Sequence, residues 1–378
     1  MFFHKFKAPW EKSLPSRIRH LVTSQKQKVA YFYEKPDSST FRYRVYNMCQ
    51  SLEESQQWTG VYFFEHEIPE VSLYLNEISV LILCRTRWSL PFDQLIEKAN
   101  QKNIPVLFDI DDLVFNLDKV PLVMNTLNTP FKEETTAHWF SYVSRLWQLG
   151  KKCKATIGTN DYISHHLKMT FNTPSYSLCN FLNQEQIQAS MPLFQQPSKN
   201  RTFTLGYFSG SPSHANDFAK IAPEIAEILS EFPEIHLEVG GFMEFPSFMK
   251  SFIKNKRITH SSFVDFITLQ TKISKVDINL VPLIDNEFTQ CKSELKFFEA
   301  AIVGTVTLAS PTHVYKENIE HAKTGYLCEE GDWYETIKSL YQNKVSPELL
   351  SNANYYCLNK YAPSTQLLVI EKLLNHYV

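Results

Sequence analysis

The chain has 378 residues, 43% of them hydrophobic and 14% aromatic, with 38 basic and 40 acidic side chains. That length and apolar content supply two cores and exclude a disordered chain, while the near balance of charge excludes the strongly basic domain of a nucleic-acid binder. The seven cysteines form no C-x-x-C pair and no metal-ligand spacing with histidine, which fits a reduced, cytoplasmic chain.

Residues 1–27 form a basic and aromatic segment in which Phe2, Phe3, Phe6 and Trp10 alternate with Lys5, Lys7, Lys12, Arg17, Arg19 and Lys26. Such a mixture suits either the surface of a membrane bearing anionic lipid or a frayed, solvated tail. No hydrophobic signal core stands here, and no apolar run in the chain reaches the roughly 18 residues that span a bilayer.

A first α/β domain is expected over 28–185. Lys28–Tyr33 reads as its opening strand, and 42–52 has helical spacing of apolar residues after the loop SSTFRYR at 38–44. Strand, loop and helix in that order begin a parallel unit, so Arg42 and Arg44 fall at the carboxyl edge of the strands, where such sheets bind ligands. Ser79–Cys84 is a continuous apolar run, as in a strand buried on both faces. A helix at 91–100 then leads to a strand at 104–108 and the run DIDD, with Asp109, Asp111 and Asp112 at the strand's mouth. These carboxylates suit an acceptor hydroxyl, a divalent ion or a helix cap. A long loop at 116–135 precedes an aromatic helix at 136–150, fit for core packing or for a lid. Further along, 154–158 reads as a strand, and Asn160 opens a helix that runs to Met169. The glutamine-, proline- and serine-rich stretch 186–201 reads as a linker.

The second α/β domain is expected over 202–355. It opens with a strand at 202–208, followed by the small-residue loop that contains Gly210 and Ser211, which lets backbone approach a phosphate closely. Strands at 236–240, 275–283 and 305–309 follow in alternation with helices. Between the last two lies CKSELKFFEAAIVG, with Leu295, Phe298 and Ile302 on one helical face, Lys292, Lys296 and Glu299 on another, and Gly304 as the stop. A helix start near 289–293 would offer free N–H groups at Lys292, Ser293 and Glu294 to an anion, with Glu299 two turns on to accept from a pair of hydroxyls. The same three charges also fit a solvated helix face. Residues 356–378 end the chain in an amphipathic helix.

The run K-S-x-L-K-F-x-E-x-x-x-x-G-T-V, followed by His321-Ala-Lys-Thr-Gly325-Tyr-Leu and then Asp332-Trp333, resembles the donor-binding half of family 4 glycosyltransferases of the GT-B type. The likeness covers about 202–345 well and the first domain loosely, although the 38–44 loop is similar to the F-R-Y-R-V entry loop of a polysaccharide-assembly subgroup. It implies two doubly wound Rossmann-like domains facing a central cleft, with the last helix returning to brace the first domain. It also implies transfer from a nucleotide-sugar donor to a glycan or lipid-linked acceptor, with retention and with neither cofactor nor protein-bound metal. In that scheme Glu299 grips the donor's hydroxyls, and the spacing of the chain adds Gly210, Ser211, Lys292, Ser293, Glu294 and Lys296 to the donor side, the lysines supplying the charge opposite the diphosphate. Arg42 and Arg44 contact acceptor or phosphate, and Asp109, Asp111 and Asp112 serve the acceptor. Two departures stand out: Cys291 occupies the place of a usual Glu, and no Arg or Lys lies within 209–217. A non-catalytic binding or scaffold subunit is the alternative they raise.

Overall fold

The structure is a computed structural model that describes residues 6–194, 202–210 and 215–378. The chain forms two compact units, one of Met1–Pro121, Phe131–Asn183 and Ala362–Val378, the other of Leu122–Pro130 and Gln184–Tyr361.

The first unit is built on six parallel strands: β1 (Gln27–Tyr33), β2 (Trp58–Phe64), β3 (Val80–Cys84), β4 (Val106–Asp109), β5 (Ala155–Gly158) and β6 (Ser175–Ser177). Their order is β2-β1-β3-β4-β5-β6, so the chain reverses direction across the sheet between β1 and β3. Helices cover the sheet, and β1 to β4 accordingly read as apolar runs. Register sets the mouth of the sheet: Leu83 pairs with Phe108, which brings Cys84 opposite Asp109. Strand β2, unrecognised in the sequence, is buried throughout. Its Gly60 is there for proximity, since a Cβ would lie 2.9 Å from the Cys49 Cα.

Two parts of the N-terminal segment turn inward. Arg17 donates to both Glu67 oxygens at 2.8 and 2.5 Å and to the Tyr62 carbonyl at 2.7 Å, and Trp10 packs edge-on against Phe41 and Tyr46. They are core rather than membrane-facing groups, because an ion pair with both carboxylate oxygens engaged and an aromatic cluster outweigh solvation of a short helix. Phe2, Phe3 and Lys5 lie outside the described residues. The closing helix Pro363–Leu374 belongs to the same unit, where Ser51 donates to the Pro363 carbonyl at 2.8 Å and Trp58 to Asn375 at 2.7 Å.

The second unit carries β7 (Thr204–Ser209), β8 (His236–Gly241), β9 (Ile258–Ser261), β10 (Ile278–Val281), β11 (Val306–Ala309) and β12 (Tyr326–Leu327), all parallel, in the order β12-β11-β10-β7-β8-β9. Here the reversal lies between β7 and β10. Tyr207, Ile225, Leu237, Leu280, Leu308 and Trp333 form its core with the covering helices.

Residues 184–194 form a helix of this unit instead of opening a linker: Ser190 donates to Gln270 at 3.0 Å inside the packing against Phe266–Ile273. The rest of the proposed linker, 195–201, lies outside the described residues. Residues 122–130, expected within a loop of the first domain, are largely helical and belong to the second unit, where Thr126 accepts from Asn286 at 3.0 Å.

Candidate functional site

In open α/β sheets ligands bind beyond the carboxyl ends of the strands where the order reverses. In the second unit that place is walled by the segments after β7 and β10. Asp217, in the first turn of the helix Ala215–Glu231, is 4% exposed and accepts the Ile284 backbone N–H at 3.0 Å, tying the two segments together. Gly210 lies at the tip after β7, exposed and with nothing within 4 Å of the place a Cβ would take. Ser211 lies outside the described residues.

The helix expected to start near 289–293 begins later. Asn286 and Thr289 cap each other in a separate short helix, Glu287–Gln290, and the chain re-enters helix only at Leu295–Ala301. Lys292 and Ser293 therefore precede the helix instead of lying on its face, and Lys292 sits over the Phe288 ring at 4.5 Å. Gly304 ends the segment with φ +76° beside the Phe194 ring.

Glu299 is 3% exposed, so the solvated-face reading does not hold for it. Its carboxylate acts on Lys296, whose ammonium stands 5.1 Å from the centroid of the Tyr207 ring on β7. Burial pulls Lys296 down from its ordinary 10.5 to about 8, with Asp217 and Glu299 opposing and Lys292 adding to the fall. Burial also raises the Tyr315 hydroxyl, helped by Glu294, Glu299 and Asp217, so these groups share one electrostatic neighbourhood. Two lysines and three acids thus converge at the reversal point. Asp217 and Tyr315 were not recognisable as members from the sequence, because an acid in a first helical turn looks like a cap and a lone tyrosine looks like core.

Glu294, expected among the residues that hold the donor, is 2% exposed and hydrogen-bonds with the Tyr361 hydroxyl at 2.8 Å, with burial raising its carboxyl. Cys291 is wholly buried.

The low proton affinity of Lys296 has a consequence for stability. Below pH 8 folded and unfolded chains both hold this proton, and between pH 8 and 10.5 only the unfolded chain does, so stability is expected to rise across that window. Discounted for partial exposure, the gain is about 1–2 kcal/mol. Urea unfolding at the two ends of the window checks it, and Lys296→Met is expected to abolish the rise.

At the carboxyl edge of the first unit the run DIDD divides. Asp109 is 1% exposed and takes both Arg44 donors, at 2.9 and 2.6 Å, while Arg44 also reaches the Leu178 carbonyl at 2.6 Å. Both were expected to meet substrate, but the structure closes them into an ion pair inside the unit. Burial raises the Asp109 carboxyl, with Arg44 opposing. Arg42 is 3% exposed, lies over the Tyr43 ring at 3.9 Å and donates to the Ser38 carbonyl at 2.8 Å. A π-helical turn at Arg42–Tyr46 turns both arginines inward. Asp111 and Asp112 remain partly open to solvent and share the Arg85 guanidinium, at 2.7 and 2.9 Å. Among the described residues no group of three or more His, Cys, Asp or Glu is arranged to hold a metal ion, and no helix is long and apolar enough to cross a membrane.

Two doubly wound parallel sheets, each with its reversal point, define the GT-B type of glycosyltransferase fold. Anabaena HepE in complex with UDP-glucose superimposes with a TM-score of 0.60 at 11% identity, over 92% of this chain and 99% of that one. Sucrose-phosphate synthase from Thermosynechococcus elongatus gives 0.61 at 12% identity, over 93% and 99%. The pneumococcal O-GlcNAc transferase GtfA in complex with UDP and GlcNAc gives 0.54 at 15%, over 81% of this chain and 59% of that one. At such identities the likeness is one of fold. The sequence matches no family model and no protein with a curated description.

Proposed function

We propose that this chain is a family 4-like glycosyltransferase that moves a sugar, with retention, from a nucleotide-sugar donor to a glycan or lipid-linked acceptor in surface polysaccharide or glycoconjugate synthesis. The observation that carries the reading is the buried Glu299 beside Lys296 and Asp217 at the reversal point of the second sheet. Lys296, with Lys292, offsets charge on the departing diphosphate, and Glu299 accepts from hydroxyls of the donor. Catalysis then rests on positioning and on stabilising a leaving anion, with no protein-bound metal. That solved proteins of this fold were captured with UDP and UDP-glucose supports the choice of donor class. Lys7, Lys12, Arg19 and Lys26 with the exposed Phe6 support a peripheral position on the cytoplasmic face of a membrane.

The full chain is expected to be stabilised by UDP or another nucleoside diphosphate, by about 2.7 kcal/mol at a hundred times its dissociation constant. A panel of UDP, GDP, ADP and TDP in a thermal-shift assay tests this, and failure of all four sinks the donor site. Binding is expected to hold steady up to about pH 7, to fall as Lys296 loses its proton around pH 8, and to weaken above that by up to about tenfold per pH unit. Release of nucleoside diphosphate from nucleotide sugars, with and without membrane extract, separates an enzyme from a subunit that only binds.

A further inference from the structure

We infer that Glu294 is a neutral carboxylic acid in the folded chain, that its proton completes a hydrogen-bond chain through Tyr361 to Asn318, and that the uncharged acid is a positioning residue which seats Lys292 and Ser293 for an anion. The inference rests on the transferase reading and adds how the donor side keeps its charge in balance.

Three buried side-chain oxygens are linked inside the second unit. The Tyr361 hydroxyl lies 2.8 Å from one Glu294 carboxyl oxygen and 2.9 Å from the Asn318 side-chain oxygen. Two hydrogen bonds of that length need two protons, and a phenol supplies one. Asn318 cannot supply the other. Its amide donates to the Val314 carbonyl at 2.6 Å, while its oxygen accepts the Tyr356 hydroxyl at 2.8 Å and the Lys360 ammonium. Turning that amide round would set oxygen against carbonyl and N–H against a cation. The second proton therefore belongs to Glu294: the acid donates to the Tyr361 oxygen, and the phenol donates to Asn318. With Glu294 ionised, one of the two close contacts would set lone pairs face to face where no water reaches.

The surroundings favour the uncharged form. Burial raises the Glu294 carboxyl above its ordinary 4.5, against its own backbone N–H, Tyr361, Lys360 and Ser293. Lys360, at the end of the helix Pro347–Lys360, is the one cation among these, and its ammonium is held on Asn318. The helix His313–Asn318 adds Tyr315, whose hydroxyl is raised by burial and then by Glu294, Glu299 and Asp217.

Charge on the donor side gives the neutral acid its purpose. Lys292 and Lys296 share their place with Asp217 and Glu299, two against two, and a third carboxylate there would leave it net negative and repel a diphosphate. Uncharged, Glu294 still ties the stretch down. Its carbonyl accepts the Phe297 N–H at 2.9 Å, opening the helix Leu295–Ala301, and the Tyr361 ring packs 4.6 Å from that of Phe298 on the same helix.

Infrared difference spectroscopy of the full chain against Glu294→Gln at neutral pH reads the proton directly. The wild type is expected to show the carbonyl stretch of a protonated carboxyl that the variant lacks, and Tyr361→Phe should shift that band, since the acid has lost its acceptor. Urea unfolding gives a second reading. Above about pH 4.5 the folded chain holds this proton and the unfolded chain releases it, so the stability of Glu294→Gln relative to wild type is expected to grow from pH 5 to pH 7. Calorimetric titration with UDP at pH 6 reads the positioning. Glu294→Ala, which breaks the chain, is expected to weaken binding by about tenfold, and Glu294→Gln, whose amide donates to Tyr361 as the acid does, to rescue most of it. Absence of the band, a band unmoved in Tyr361→Phe, a stability difference that does not grow with pH, or a Gln variant as damaged as the Ala variant overturns the inference. A wild-type chain that does not bind UDP would instead sink the donor site, while the infrared and urea results would still decide the proton.

Discussion

Replacing Asp109 with alanine is expected to cost about 3–5 kcal/mol of stability, because Arg44, wholly buried, then keeps its charge without a counterion. The remaining contacts of Arg44, the Leu178 carbonyl at 2.6 Å and Asn180 at 3.2 Å, solvate part of the guanidinium but carry no charge. A double change, Arg44→Met with Asp109→Leu, removes both charges and is expected to recover most of the loss, since well-packed apolar replacements of a buried pair are often neutral. Urea unfolding of the single and double variants measures the difference. An Asp109→Ala chain as stable as the wild type would mean that the pair holds nothing together. The same experiment separates the carboxylates at this edge, because Asp111→Asn and Asp112→Asn touch partly solvated groups and should each change stability by less than about 1 kcal/mol.

Glu299→Gln is expected to lower nucleotide affinity or turnover by roughly ten- to a hundredfold, the loss of one charge-assisted hydrogen bond at about 1.5–3 kcal/mol. A second signature distinguishes a direct contact from an effect through Lys296. The Glu299 carboxylate helps Lys296 retain its proton, so in the variant the fall of affinity with pH should begin at a lower pH than in wild type. At pH 6 Lys296 is charged in wild type, and any deficit that persists there belongs to the lost contact itself. Isothermal titration with UDP at both pH values, on a variant shown to unfold cooperatively, reads both effects. Affinity equal to wild type at pH 6 would remove Glu299 from the ligand and leave it as a neighbour of Lys296.

How far the chain could be read in one dimension varies by element. Runs such as Val80–Cys84 and Val106–Asp109 are visible because a strand covered on both faces must be apolar throughout. Strand β2 is as thoroughly buried, yet Thr59 and Gly60 interrupt it, and that glycine answers to Cys49 on a neighbouring helix, a contact without local trace. Likewise, Asn286 and Thr289 form a capping pair whose signal is local, but its effect in displacing the start of the next helix to Leu295 went unread.

Composition, alternation of strand and helix, and the spacing of Lys296, Glu299 and Gly304 settled the α/β architecture and drew attention to the segment before β11. Those are properties of neighbours along the chain, governed by backbone period and turn chemistry. Which charges remain available was decided only by the tertiary structure. Arg44 meets Asp109 across 65 positions, Tyr361 meets Glu294 across 67, and Arg85 is drawn to Asp111, Asp112 and Tyr142. A side chain's charge is written in the sequence, but its counterion and its exposure to water depend on which strands lie side by side.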